Sequence, residues 1–285
     1  MKRLIIGAMA LGLGAATLCG QISASPERFS PQAAGYIERA RAMSSAGNFA
    51  GVIDQLGVLS TRLTELSPAE AEECAWLLAR AHYERGSEEC LRLLIDFRRD
   101  YPASTRAALA DCTIGDWHFF HAQWPDALKA YSEADRDRLN SDQRLLYDYR
   151  TALAMIKTGH FDEARPLIRS IAHSPEYADA ATFYTAYLDY IRGDFKRALE
   201  GFKRVPEGIP GLDAGYYIAQ IDYSDGRYGE VIARGQRLLR SNPDPELAPE
   251  INRIVGLSYF KENNYDKATP YLQKYLQSVD TGADH

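Results

Sequence analysis

Cysteine is scarce in this chain of 285 residues: Cys19, Cys74, Cys90 and Cys112, with no C-x-x-C pair. Once Cys19 is set aside with an N-terminal leader, the odd remainder excludes a disulfide scaffold; three buried thiols on helices are expected. A surplus of positive charge is also missing. Lys and Arg number 33 against 39 Asp and Glu, a net charge of −6, and no segment carries a basic stripe. That excludes a dedicated nucleic-acid or anionic-membrane binder. Beyond the N-terminus no stretch reaches the ~20 apolar residues that a membrane span takes. Period-2 alternation of useful length is absent, so strands are not expected. There is no G-x-S-x-G, P-loop, G-x-G-x-x-G or H-E-x-x-H, and no enzyme is read from the chain. His118 and His121 share a helix face at i, i+3, which makes a metal-dependent hydrolase one alternative. No third-ligand motif follows them, so neither metal nor cofactor is expected. The charge clusters at 70–73 (EAEE) and 135–138 (DRDR) read as solvated.

What is present begins with a leader. Met1-Lys2-Arg3 is basic, residues 4–18 (LIIGAMALGLGAATL) are apolar, and QISAS offers a small-residue cleavage site after Ala24. Residues 1–24 read as a secretory signal peptide, which implies export to the periplasm or cell envelope. A membrane anchor is the alternative, with an apolar run short of a span; lipidation at Cys19 is another, although Leu18 and Ala16 fit a lipobox poorly.

The rest has a period. A small residue is followed two later by an aromatic and five later by a small or compact apolar residue. This occurs from Gly47 (Phe49, Val52), Ala122 (Trp124, Ala127), Gly159 (Phe161, Ala164), Gly193 (Phe195, Ala198), Gly226 (Tyr228, Val231) and Asn263 (Tyr265, Ala268). A weaker copy starts at Gly86, with Leu91 but Glu88 in the aromatic's place. Seven residues before each anchor stand Ala40, Ala79, Gly115, Ala152, Ala186, Ala219 and Gly256, all Ala or Gly. Small residues on facing helices permit close approach, and the aromatic between them is expected to plug the gap. Each unit is therefore helix, left-handed turn, helix. An Asp near the aromatic (Asp126, Asp162, Asp194, Asp266) suits the start of the second helix. SPAE at 67–70 reads as a capping box with Pro at the first helical position.

With the pattern VGLSYFKENNYDKA at 255–268, carrying Gly256, Tyr259, Phe260, Asn263, Tyr265 and Ala268, the chain resembles the tetratricopeptide repeat family. The reading is an all-α, right-handed α-solenoid of about seven repeats over 33–279, with a linker at 25–32 and a tail at 280–285. Unit two departs by lacking its aromatic, and the first three spacings exceed 34 residues.

The resemblance implies that the first helices line a concave groove holding a protein or peptide segment. Residues ten, six and three before the anchors fall on that stripe. They give the candidate partner-binding residues Trp76, Tyr83, Phe119, Tyr149, Phe183, Tyr187, Tyr190, Tyr216, Tyr223 and Phe260, with Phe120 adjoining. Packing is the competing role for every one of these rings. Arg41, Arg80, Asp116 and Arg253 lie on the same stripe and either orient a partner or are simply solvated. The expected function is an exported scaffold for protein–protein interaction in cell-envelope assembly or maintenance. A glycan or cell-wall binder with a Tyr-rich groove is the alternative. Tyr271, Leu272, Tyr275 and Leu276 would leave the last helix with an uncovered apolar face, suited to further repeats or self-association.

Overall fold

The computed structural model describes residues 31–60, 66–209, 211–241 and 246–282. The leader with Cys19 and its cleavage site, most of the linker and the last three residues of the tail lie outside them. Fourteen α-helices run through the described residues, which contain no strand: α1 (Pro31–Ser45), α2 (Phe49–Ser60), α3 (Pro68–Glu84), α4 (Glu89–Asp100), α5 (Ala107–Phe120), α6 (Trp124–Glu133), α7 (Ser141–Lys157), α8 (Phe161–Ile171), α9 (Ala178–Arg192), α10 (Phe195–Phe202), α11 (Ala214–Ser224), α12 (Tyr228–Arg240), α13 (Ala248–Lys261) and α14 (Tyr265–Gly282). They fall into two compact units that meet in sequence at Gly159 and His160. In the first, α1 packs on α2, α3 on α4, and α5 on α6; in the second, α9 packs on α10, α11 on α12, and α13 on α14.

All seven anchors are left-handed: Gly47, Gly86, Gly159, Gly193 and Gly226 with φ between +66° and +87°, Ala122 at +56° and Asn263 at +60°. The following amide reaches five residues back, as in Asn48 N to Met43 O at 2.8 Å, Gln123 N to His118 O at 2.9 Å and Asn264 N to Tyr259 O at 2.9 Å. This Schellman closure satisfies carbonyls that the helix end would otherwise orphan. Ala122 bears a Cβ in a conformation that costs an L-residue ~1–2 kcal/mol. Glycine removes that cost but frees the unfolded chain. Ala122→Gly is therefore expected to raise stability by ~0.5–1 kcal/mol, read as a higher denaturant midpoint at unchanged slope; a lower midpoint would contradict the strain argument.

The small columns are buried throughout the first helices. A Cβ added at Gly115 would run into the Tyr131 ring, and one at Gly256 would meet Leu272 Cγ at 2.7 Å. Two expectations need correction. In the second repeat it is Cys90, with Leu94 and Phe97, that is buried, while Leu91 is partly exposed. α4 starts three residues after Gly86, where the other second helices start two after their anchors, and its buried face falls one position earlier, at Cys90. The aromatic after each anchor does not plug the gap either. Leu56, Tyr131, Ile168 and Phe202, nine residues after their anchors and fully buried, do so. The turn aromatics sit at the helix ends.

Caps follow the local chemistry. Ser67 Oγ accepts from Glu70 N and Glu70 Oε2 accepts from Ser67 N at 3.0 Å, with Pro68 opening α3. Asp194 caps α10 by accepting from Arg197 N at 3.2 Å; Asp126, Asp162 and Asp266 lie in the first turns of α6, α8 and α14. Both charge clusters read as solvated are partly structural. Glu70 and Glu73 are buried, and Arg136 forms a two-pronged pair with buried Asp148 at 2.6 and 2.7 Å.

Candidate functional site

The ten candidate rings divide into three sets. Trp76, Phe183 and Tyr187 are buried, so they are core rather than groove surface. Trp76 packs on Phe97 with ring centres 5.5 Å apart. Four of the five rings three residues before an anchor meet the aromatic of their own turn, five residues on: Phe119 with Trp124 at 5.2 Å, Tyr190 with Phe195 at 5.5 Å, Tyr223 with Tyr228 at 5.6 Å, and Phe260 with Tyr265 at 5.2 Å. The pairs are tilted or edge-on, the arrangements aromatic quadrupoles favour. Three of them recur in successive repeats of the second unit; the first and third present exposed rings, Phe195 at 43%, Phe260 at 51% and Tyr265 at 53%, while Tyr223 and Tyr228 are both half-buried. The remaining three, Tyr83, Tyr149 and Tyr216, are half-buried.

The four charged residues of the stripe are all engaged. Arg41 donates to Glu73 Oε1 at 2.7 Å, Arg80 pairs with Glu84 at 2.5 Å, Asp116 with Arg150, and Arg253 with Glu250 at 2.9 Å. Their side chains are already committed within the chain, which argues against a free orienting role. Sequence reasoning missed the partners because each acid or base is one of several at comparable spacing.

Glu73 also holds Arg106 at 2.6 Å. Burial raises its carboxyl pKa, but the two guanidiniums outweigh this and hold it below the ordinary 4.5. A depressed folded-state pKa contributes stability above the unfolded value, and that contribution is lost as pH falls through the folded one. Stability is expected to drop in acid below about pH 4.5, with part of the slope absent in Glu73→Gln. An unchanged slope in a pH series of denaturation curves would remove Glu73 from the account.

In the first unit, Asp116 of α5 binds Arg150 of α7 and accepts from Tyr131 OH at 2.7 Å. Arg150 lies 4.9 Å from the ring centre of Phe120, and Arg80 lies 5.2 Å from that of Tyr83. Phe120 is half exposed beside the Phe119–Trp124 pair. Burial, aided by Asp116, pushes the Tyr83 and Tyr131 hydroxyls well above their usual range.

In the second unit Tyr217, absent from the sequence candidates, is the hub. Its ring centre lies 5.2–5.8 Å from those of Phe183, Tyr187, Tyr190, Phe202 and Tyr216. Its place one residue after Tyr216 took it off the chosen stripe; a pattern allowing adjacent positions would have found it. Beside it a cavity of about 40 Å³ is lined by Phe183, Asp213, Tyr216, Tyr217, Leu247 and Glu250, among others. Tyr216 OH accepts from Gln220 Nε2 at 2.7 Å, and burial raises its pKa to about 12.

The two histidines are held apart. His118 Nδ1 meets Gln123 Oε1 at 2.7 Å, while His121 Nδ1 meets Trp117 O at 2.7 Å and its ring stacks on the indole. Among the described residues no group of three His, Cys, Asp or Glu could hold a metal ion. Cys74, Cys90 and Cys112 are free, buried thiols; burial raises the first two to about 11 and Cys112 further. No helix among the described residues is long and apolar enough to cross a membrane. On α14 Leu276 and Val279 are exposed, while Tyr271, Leu272 and Tyr275 are half-buried.

No family model and no curated protein matches the chain. Its fold is shared with solved structures. The apo form of RapI is 9% identical, with a TM-score of 0.53 over 89% of this chain and 76% of that one. The apo form of the quorum sensor NprR from B. thuringiensis is 11% identical, with a TM-score of 0.47 over 86% of each chain. A putative kinesin light chain with TPR-like repeats from Podosopora anserina is 15% identical, with a TM-score of 0.46 over 69% of this chain and 97% of that one. The chain has a tetratricopeptide-like helical repeat fold. Identities this low carry the fold and nothing of the partner.

Proposed function

We propose that this chain is a non-enzymatic scaffold that binds protein segments along the open faces of its repeats. The observation that carries the reading is the ring pair at the turns of three successive repeats, Tyr190–Phe195, Tyr223–Tyr228 and Phe260–Tyr265, of which the first and third expose Phe195, Phe260 and Tyr265. Packing alone does not call for large rings open at the same turn position of two repeats, Phe195 and Tyr265, with Phe260 beside the second; exposed aromatics of this kind suit a contact surface. The leader extends the reading to an exported protein of the periplasm or cell envelope, acting in envelope assembly or maintenance. Export is tested separately, by N-terminal sequencing of the secreted chain for cleavage after Ala24.

Cross-linking in the native cell, followed by mass spectrometry, tests the surface. A Phe195→Ala, Phe260→Ala, Tyr265→Ala variant that keeps its helical circular dichroism is expected to lose most of the captured partners. Equal capture by the variant would remove these rings from the site, and capture of cell-wall glycan in place of protein would favour the alternative ligand class. The apolar side of α14, with Leu276 and Val279, supports a second contact, a copy of this chain. Light scattering is expected to show a mass above the monomer that Leu276→Glu returns to it; a wild-type monomer would eliminate that contact.

A further inference from the structure

The three ring pairs of the second unit share one geometry. Tyr190–Phe195, Tyr223–Tyr228 and Phe260–Tyr265 have ring centres 5.5, 5.6 and 5.2 Å apart and planes inclined at 58°, 63° and 62°. In the first unit the equivalent pair, Phe119–Trp124, stands at 82°. Two rings at such an incline outline a V-shaped notch, and each notch lies at the turn between the two helices of its repeat. Exposed Phe195, Phe260 and Tyr265 bring the outer two to the surface, while the central pair is half-buried. The first helices that carry the notches are neighbours. Tyr217 of α11 meets Tyr187 and Tyr190 of α9, with ring centres 5.4 Å apart in each case, and α11 packs on α13. Packed helices lie about 8–10 Å apart, so the notches recur at about that interval.

The interval selects the backbone that can use it. A polyproline II helix turns once in three residues, a repeat of about 9.3 Å. An extended strand shows the same face every second residue, about 6.7 Å. An α-helix shows it every seventh residue, about 10.5 Å, but is about 10–12 Å thick and needs a groove of its own width, which one ring pair per repeat does not line. Polyproline II also leaves its carbonyls without internal partners, and the tyrosine hydroxyls of the central pair are donors of the right kind for them. Charge points the same way. Asp194 pairs with Arg197 at 3.5 Å and Asp225 with Arg227 at 2.6 Å, so the turns beside the rings carry balanced charge that matches a neutral segment. We propose that this row binds a proline-rich segment of a partner protein in the polyproline II conformation, with prolines three residues apart seated on successive notches. Proline suits the task because its ring is a flat apolar group and its fixed φ leaves little freedom to lose on binding. The inference rests on the scaffold reading and names the chemistry of the segment that the second unit selects.

The test uses the whole mature chain, isotope-labelled, with the amide signals of Phe195, Tyr228 and Tyr265 as the readout. The probe is a capped peptide of Pro-Ser-Gln three times over. Its control has the same composition with the three prolines adjacent. The probe is expected to shift all three sites in one saturable titration, and the control to bind at least fivefold more weakly. A lysine or a glutamate added to the end of the probe is expected to change its affinity less than threefold. Phe195→Ala and Tyr265→Ala, each with the wild-type circular dichroism, are expected to weaken probe binding about tenfold; the spacing comparison itself needs no variant. Equal binding of the control, unchanged binding in both alanine variants, or the absence of any shift at the three sites overturns the proposal. So does a tenfold preference for either charged probe, or tighter binding of a neutral helical peptide with leucine at every seventh residue. If cross-linked partners vanish in the exposed-ring variant but the proline probe never binds, the polyproline assignment fails alone. If the probe binds the notches yet the wild-type chain captures no protein in the cell, the scaffold reading is what fails.

Discussion

Asp116→Ala is expected to lower folding stability by about 3–5 kcal/mol, the range for breaking a buried ion pair by removing one partner. The carboxylate holds Arg150 and accepts from Tyr131 OH, and the two charged side chains are only 14% and 13% exposed. Its removal leaves a guanidinium confined between α5 and α7 with the Phe120 ring on one side, and strands the hydroxyl of a fully buried tyrosine. Asp116→Asn keeps an acceptor for Tyr131 but not the charge, and falls between wild type and alanine. Removing both ends in Asp116→Leu, Arg150→Met is expected to recover most of the loss, because the penalty comes from the uncompensated charge rather than from a large net attraction. Denaturant melts of the four proteins decide it. A loss below about 1 kcal/mol for Asp116→Ala would mean that Arg150 relaxes into water, as exposed pairs do.

Tyr217→Ala is expected to cost about 3 kcal/mol, the lower end of the range for emptying an aromatic core site, because the ring is partly rather than fully buried. Five rings from three helices converge on this one side chain, with Phe202 stacked on it at 5.2 Å and 12°. The neighbours are themselves aromatics, and Phe183, Tyr190, Phe202 and Tyr216 are each held by a further contact, which hinders refilling of the space. Because repeats contact only their neighbours, the damage should stay local. Hydrogen exchange is expected to accelerate through α9–α12 and to leave α3–α6 at wild-type rates. Tyr217→Phe keeps every ring contact and should stay within about 1 kcal/mol of wild type. Uniform loss of protection along both units would show that the chain unfolds as one cooperative block.

The turns were legible to the residue. Each of the seven anchors carries a left-handed backbone, and each small residue seven places earlier lies buried at a helix crossing. Both are constraints that one position must satisfy alone, so they mark the sequence directly: glycine or asparagine suits a positive φ, and a side chain of no size suits a close approach. The rings were only half legible. Helical spacing places Phe183, Tyr187 and Tyr190 on one stripe, yet the first two are buried and the third leans on Phe195. A stripe tells which side of its own helix a residue occupies; whether that side meets solvent depends on how deeply the next repeat sinks into it. Tyr217 and the cavity acids escaped for the same reason. Asp213, Tyr216 and Glu250 come from two helices more than thirty residues apart, and no periodic pattern distinguishes them from other acids and tyrosines.

By itself the sequence determined that this chain is an all-α array of helix-turn-helix repeats, where each turn falls, and which residues clasp the helices, because backbone handedness and side-chain size act within a single repeat. Only the tertiary structure decided which aromatics are core and which are surface, that the charges of the predicted stripe are already paired, and that Phe183, Tyr216 and Tyr217 line one small cavity with Asp213 and Glu250. These depend on distances between repeats, and side chains one repeat apart find their partners through packing geometry that a linear pattern does not encode.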